Sequence, residues 1–305
     1  MKILLTGGSG MVGRNILEHE KIKSHNFIAP SSKELDLLDP ESIKVFLNAQ
    51  RPDLVIHAAG KVGGIQANID NPIGFLVDNL KMGTNLIYSS FNIGIPNFIN
   101  IASSCMYPKD AINPLNEEMI LSGKLESTNE GYALAKTIST RLCEYISKED
   151  PSKTYKTIIP CNLYGRFDKF NPKHSHLLPA IIKKIHNAKK NGYQKVSIWG
   201  DGSARREFMY CKDLADFIFF AIENISKIPQ NINVGIGYDY SITEYYKTAA
   251  KVIGFKGEFN YDVSKPVGMK QKLVDVTKIR KMGWVNKTSL EDGIKETYKY
   301  FKEGS

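Results

Sequence analysis

Short, continuously apolar runs alternate with longer amphipathic stretches through the first half of the chain. The runs at 2–6, 26–29, 53–58, 98–103 and 157–161 have strand length, and several show no inside/outside alternation. Strands covered on both faces read this way. Residues 11–20, 40–50, 72–94 and 130–149 lie between them and have helix length. The alternation predicts βαβ units and a doubly wound parallel sheet, an α/β fold of the Rossmann type. Right-handed crossovers place the loops that follow the strands along one crevice.

After about Cys161 the rhythm loosens. Loops rich in Asn, Pro, Gly and charge surround 165–176 and 200–207, and helices resume near 178–191, 213–224, 243–254 and 290–301. A smaller C-terminal α/β lobe is expected to cap the crevice. The division is a dinucleotide domain over 1–165 and a mainly substrate-binding lobe over 166–305, with the chain crossing between them.

Composition narrows the function classes. A chain of 305 residues with 42% hydrophobic content builds a packed core. Its apolar runs are too short to span a membrane. Met1 leads directly into the first strand, so a cytoplasmic location is expected. The 41 Lys and Arg against 32 Asp and Glu give a net charge of +9. That charge reads as a solvated basic surface or as attraction for anionic ligands. It is dispersed, with no basic helix or finger motif, so no nucleic-acid partner is expected. The cysteines at 105, 143, 161 and 211 have no CxxC spacing. They are read first as small core residues, with no zinc site or disulfide framework.

The first predicted strand runs into Thr6-Gly7-Gly8-Ser9-Gly10-Met11-Val12-Gly13. Gly7 and Gly10 allow a tight turn and close approach to a pyrophosphate, and Gly13 allows close helix–strand packing. Met11 and Val12 open the helix whose backbone N–H groups face the phosphates. The second strand ends in Ala29-Pro30-Ser31-Ser32-Lys33, without the acid that usually holds a ribose 2′-hydroxyl. Ser31, Ser32 and Lys33, with Arg14 nearby, suit a 2′-phosphate instead, so NADP(H) is the expected cofactor.

Ser103 ends the fourth strand, and Tyr132 and Lys136 stand four apart on a predicted helix. At that spacing the two side chains share a face, and the ammonium is expected to lower the phenol pKa. Ser103 is placed to bond a substrate oxygen.

With these motifs the chain resembles the extended short-chain dehydrogenase/reductases. Within them it is similar to the GDP-L-fucose synthase family over nearly its whole length. The matching segments are TGGSGMVG from Thr6, AAGKVGGI from Ala58, SSCMYPK from Ser103, YALAK from Tyr132, NLYG from Asn162, SHLLPA from Ser175, VSIWGDGSARREF from Val196 and KLVDVTKI from Lys272. The resemblance implies a homodimer and two chemistries in one pocket. The first is epimerisation at C3 and C5 of a GDP-linked 4-keto sugar, with Cys105 as base and His176 as acid. The second is NADPH-dependent reduction at C4, with Tyr132 as proton donor, Lys136 tuning it and Ser103 orienting the carbonyl. It further implies that Ala59, Gly60, Asn162, Leu163 and His176 line the cofactor, and that Lys184, Trp199 and Arg206 hold the nucleotide of the substrate. The chain departs from the family at Lys169 and Val267. A related reductase or epimerase-reductase acting on a GDP-4-keto-heptose is the neighbouring reading. A non-catalytic NADP-binding sensor is the distant one, and the intact Ser103, Tyr132 and Lys136 set argues against it.

Overall fold

The structure is a computed structural model that describes residues 1–171, 175–265 and 268–304. Lys2–Thr6 (β1), Asn26–Ile28 (β2), Leu54–His57 (β3), Asn97–Ile101 (β4) and Thr154–Pro160 (β5) form a parallel sheet. Asn231–Val234 adds a sixth parallel strand outside β5. The order across the sheet is β2, β1, β3, β4, β5 and then Asn231–Val234. From β1 the chain steps out to β2 and then returns past β1 to β3. That reversal opens a crevice beyond the carboxyl ends of β1 and β3, where ligands of open α/β sheets bind.

The helices are Met11–Leu17 (α1), Pro40–Gln50 (α2), Ile65–Asp70 (α3), Pro72–Ile93 (α4), Glu130–Glu149 (α5), Leu177–Lys190 (α6), Cys211–Glu223 (α7) and Ile242–Ile253 (α8), followed by Thr277–Lys281 and Leu290–Glu303. Successive strand residues serve opposite faces of the sheet. Ile3, Leu5, Leu54, Ile56 and Ile99 pack with Ile16 of α1 and with Leu214, Phe217 and Ile218 of α7. Leu4, Val55, Phe98 and Tyr155 pack with Ile43 and Leu47 of α2, Leu86 and Ile87 of α4, and Ile146 of α5. Each fully buried side chain of this kind contributes about 1.5–3 kcal/mol of transfer free energy. The absence of alternation along the strands follows directly from this double coverage.

Local signals fix the ends. Asp39 accepts the Glu41 N–H ahead of Pro40, and Asn71 accepts the Gly74 N–H ahead of Pro72. Such caps satisfy first-turn donors, and proline at the first helical position lacks only an N–H that has no partner there. Every element expected in the first half is present, with ends within three residues of the expected ones.

A second core forms around α6, α8 and Leu290–Glu303, which pack on the parallel pair Lys195–Trp199 and Glu258–Asp262. The chain does not stay in that lobe. α7, Asn231–Val234 and the segment carrying Val274, Val276, Ile279 and Trp284 all belong to the core of the large sheet. All four cysteines are buried and free. Among the described residues no helix is long and apolar enough to cross a membrane, and no His, Cys, Asp and Glu group is placed to hold a metal.

Candidate active site

A cleft of about 690 Å³ lies at the carboxyl ends of β1 and β3. Gly7 turns there with φ +74°, and a Cβ on it would stand 2.6 Å from the Ala59 nitrogen. A Cβ on Gly13 would stand 2.2 Å from the Gly7 oxygen, so neither position admits a side chain. Gly7, Gly10, Met11 and Val12 line the cleft, while Gly13 supports the loop from beneath. Ala59, Gly60, Asn162 and Leu163 line its other walls. A floor of closely approaching backbone along an elongated cleft suits a dinucleotide.

The far end of the cleft corrects one expectation. Of Ser31, Ser32 and Lys33, only Ser32 lines it. The Ser31 N–H and hydroxyl both donate to Glu34 at 2.8 Å. An acid does reach this end: Asp36 lines the cleft and accepts the Leu38 N–H at 2.9 Å. The turn after β2 folds back, so residues beyond Lys33 form the wall that linear reading assigned to Ser31 and Lys33. The Arg14 guanidinium stacks 3.7 Å above the ring of Phe167, which also lines the cleft.

Ser103, Tyr132, Lys136 and His176 line the cleft together. Ser103 follows β4, and its hydroxyl accepts the Cys105 N–H at 3.3 Å. Tyr132 and Lys136 share a face of α5, with the ammonium 5.9 Å from the ring centroid. Lys136 Nζ donates to the Ile101 carbonyl at 2.9 Å, which ties α5 to the end of β4. Burial brings the Lys136 ammonium down to about 8, opposed by Cys105.

The expected lowering of the Tyr132 pKa is not found. Burial, followed by the neighbouring Cys105, pushes the phenol above its ordinary range. Lys136 is itself buried and turned onto the Ile101 carbonyl, and desolvation of the phenol sets the direction. The phenol is therefore held protonated, the form a proton donor needs.

Cys105 is buried and packs against Leu125 and Ala133, with Tyr132 alongside. It adjoins two lining residues, Ser103 and Tyr132. Burial raises its pKa, opposed by Lys272, the Ser103 hydroxyl and Lys136 in that order. His176, just ahead of α6, is half-buried on the wall. Burial and then Lys169 lower its pKa.

This arrangement can be set beside known proteins. The model of the NAD dependent epimerase/dehydratase family matches residues 3–237. The chain belongs to that family. It is 60% identical over 301 residues to a GDP-L-colitose synthase of Yersinia pseudotuberculosis, covering 99% of this chain and 98% of that one. It is 52% identical over 304 residues to a GDP-L-fucose synthase of Azorhizobium caulinodans, covering 100% and 97%. Among solved structures, a GDP-L-fucose synthetase from Naegleria fowleri bound to NADP superposes with a TM-score of 0.89 at 28% identity, covering 99% of this chain and 93% of that one.

The remaining expected site residues of this family member do not line the cleft. Lys184 donates to the Ser197 carbonyl and feels Asp262. Trp199 is paired with Asp262 across the strands and is 59% exposed, with Lys265 Nζ 6.0 Å from its ring. These residues form one cationic and aromatic surface on the second lobe. Arg206 is different. It pairs with Lys272 on the adjoining short strand. Burial lowers both cations, Glu126 opposes this for each, and Lys272 in turn faces Cys105. Arg206 is thus linked to the reacting end through Lys272. Linear reading left Lys272 without a role, although KLVDVTKI begins on it. Lys169 lies on the cleft wall, and Val267 lies outside the described residues.

Proposed function

We propose that this chain is a 3,5-epimerase and NADPH-dependent 4-reductase that converts GDP-4-keto-6-deoxy-D-mannose to GDP-L-fucose. One observation carries the reading: a dinucleotide loop, Ser103, Tyr132, Lys136 and His176 share one cleft, and Cys105 adjoins Ser103 and Tyr132. The matches to fucose and colitose synthases support it. Residues 1–165 hold the dinucleotide, and the lobe built mainly from 166–305 holds the GDP-sugar.

The C4 ketone acidifies the hydrogens on C3 and C5. The Cys105 thiolate removes a proton from one carbon and the His176 imidazolium returns one to the opposite face; Cys105 then releases its proton to solvent and His176 takes one up before the second carbon is inverted. Lys272 and Lys136 favour the thiolate that the first step needs. Bound NADPH supplies the hydride for C4. Ser103 orients the ketone oxygen, Tyr132 protonates it as it becomes a hydroxyl, and Lys136 holds the ribose beside the nicotinamide. Lys184, Trp199 and Arg206 hold the nucleotide, two cations suiting a diphosphate. The reading is tested by following NADPH oxidation with GDP-4-keto-6-deoxy-D-mannose and identifying the product by NMR. A product other than GDP-L-fucose sinks it.

The 60% identical relative favours one second reading. Colitose is fucose without the 3-hydroxyl, so an enzyme that makes it inverts C5 alone. Offering both 4-keto substrates and comparing kcat/KM separates the two.

NADP(H) is preferred over NAD(H). Ser32 is the side chain on the cleft wall expected to meet the 2′-phosphate. NADPH is expected to bind at least about tenfold tighter than NADH, a difference of about 1.4 kcal/mol. Titration of both reduced cofactors by fluorescence checks this, and tighter NADH binding refutes it.

The chain works in the cytoplasm as a homodimer. Tyr88, Ile138 and Tyr145 expose 57%, 43% and 64% of their surface on α4 and α5, beside an apolar groove lined by Leu121, Leu134 and Leu142. Two copies of this helix pair build a self-complementary bundle. Light scattering is expected to give the dimer mass at micromolar concentration, and Ile138→Asp to give the monomer. A wild-type monomer would count against the assembly.

A further inference from the structure

Asp168 lines the cleft with Leu163 and His176, and the chemistry above gives it no role. Its Oδ1 accepts the Lys169 N–H at 2.7 Å. Its Oδ2 is buried and has no hydrogen-bond partner among the described residues. The turn that presents it is held in place. Phe167 sits at φ +70° beneath the Arg14 guanidinium, and Asn15 Nδ2 donates to the Arg166 carbonyl at 3.4 Å. Burial pushes the Asp168 carboxyl up to about 7, against the pull of the Lys169 N–H and ammonium.

A buried carboxylate with a single donor is costly, and the neutral acid is the cheaper form. A neutral carboxyl carries an O–H that needs an acceptor. A dinucleotide brings phosphate and ribose oxygens into this cleft, together with negative charge that favours the neutral acid further. We propose that Asp168 is a proton-linked hydrogen-bond donor to the bound cofactor. A proton enters the carboxyl from solvent as the cofactor binds, the side chain turns Oδ2 out of its buried position so that its O–H meets a cofactor oxygen, and the proton returns to solvent on release. The proposal rests on the reading that the cleft takes NADP(H).

Among the described residues, the other titratable and charged groups around this part of the cleft are Arg166 and Lys169 on the same loop, Arg14 on α1, Cys211 at the start of α7, His176 ahead of α6, and Tyr132 and Lys136 of α5. Lys136, at about 8, also titrates in the working range. It is common to wild type and an Asp168 variant, so the difference between them isolates Asp168.

The sign follows from linkage. Free Asp168 ionises near pH 7 and binding requires the acid, so affinity is full below that pH and falls as pH rises through it. The test measures NADPH affinity from pH 6 to 9, and proton uptake at pH 8 by calorimetry in buffers of different ionisation enthalpy. In Asp168→Asn the amide N–H₂ remains a donor at every pH. The wild type is expected to lose affinity up to about tenfold per pH unit more steeply than this variant. It is also expected to take up about one proton more. Equal slopes and equal uptake would overturn the proposal, and would leave Asp168 a carboxylate that accepts from the cofactor or stands apart from it. Should Asp168→Asn not fold, Asp168→Ala takes its place, and a slope and an uptake equal to those of the wild type overturn the proposal. A wild type that binds no NADPH at any pH overturns the cofactor reading itself.

Discussion

Tyr132→Phe is expected to slow hydride transfer to C4 by roughly 10²–10⁴-fold, the range for loss of a positioned general acid. That corresponds to about 2.7–5.5 kcal/mol of transition-state stabilisation. The change removes one oxygen from a half-buried ring and leaves the edge-on contact with Phe75 in place. NADPH affinity should hold, because Lys136 keeps its bond to the Ile101 carbonyl at 2.9 Å. Exchange of the C3 and C5 hydrogens with solvent should persist, since Cys105 and His176 are untouched. Single-turnover NADPH oxidation measures the first step, and NMR measures the exchange. Loss of both activities together would mean that the phenol shapes the pocket rather than protonating C4.

Cys105→Ser is expected to abolish most of the exchange, by roughly 10²-fold or more, while reduction of the unepimerised ketone continues. The reason is the acidity of the base. A thiol ionises far more readily than a hydroxyl, and only the ionised form removes a proton from carbon. Cys105 starts at a disadvantage, because burial raises its pKa, and it relies on Lys272, the Ser103 hydroxyl and Lys136 to offset that cost. A serine in the same place has too little acidity for those neighbours to recover. The wild-type exchange rate should therefore climb as pH rises, following the thiolate fraction. Exchange at an unchanged rate in Cys105→Ser would make this cysteine structural and the chain a reductase.

Much of this site was legible in the linear chain. The glycine loop was, because a turn that brings Gly7 within reach of the Ala59 backbone and Gly13 onto the Gly7 carbonyl tolerates no side chain. The Tyr132 and Lys136 pair was, because one helix face sets its geometry. Two-sided burial made the core strands readable as apolar runs. The strand Asn231–Val234 was not readable in that way. Asn231 and Asn233 look like loop residues, yet Asn233 is fully buried and meets the Tyr107 hydroxyl, the Glu117 carboxylate and the Leu115 carbonyl. Long-range polar partners of this kind leave no periodic trace.

The same limit applies at the cofactor's far end. Proximity to β2 in sequence pointed to Ser31, Ser32 and Lys33, but the turn after β2 sets only Ser32 of these on the wall, together with Asp36. Burial also reversed the expected direction for Tyr132, since pairing with Lys136 was visible in the spacing and desolvation was not. Lys272 reaches Cys105 only through the pairing of two-residue strands, which have no pattern to read.

In the proposed reaction one cleft inverts two carbons and then reduces a third. The measurement that tests it most directly is a full turnover of the wild type in D2O with NADPH and GDP-4-keto-6-deoxy-D-mannose, read by NMR. GDP-L-fucose is expected to carry solvent deuterium at C3 and C5 and the NADPH hydrogen at C4. A reduced sugar that keeps its original hydrogens and configuration at C3 and C5 would contradict it.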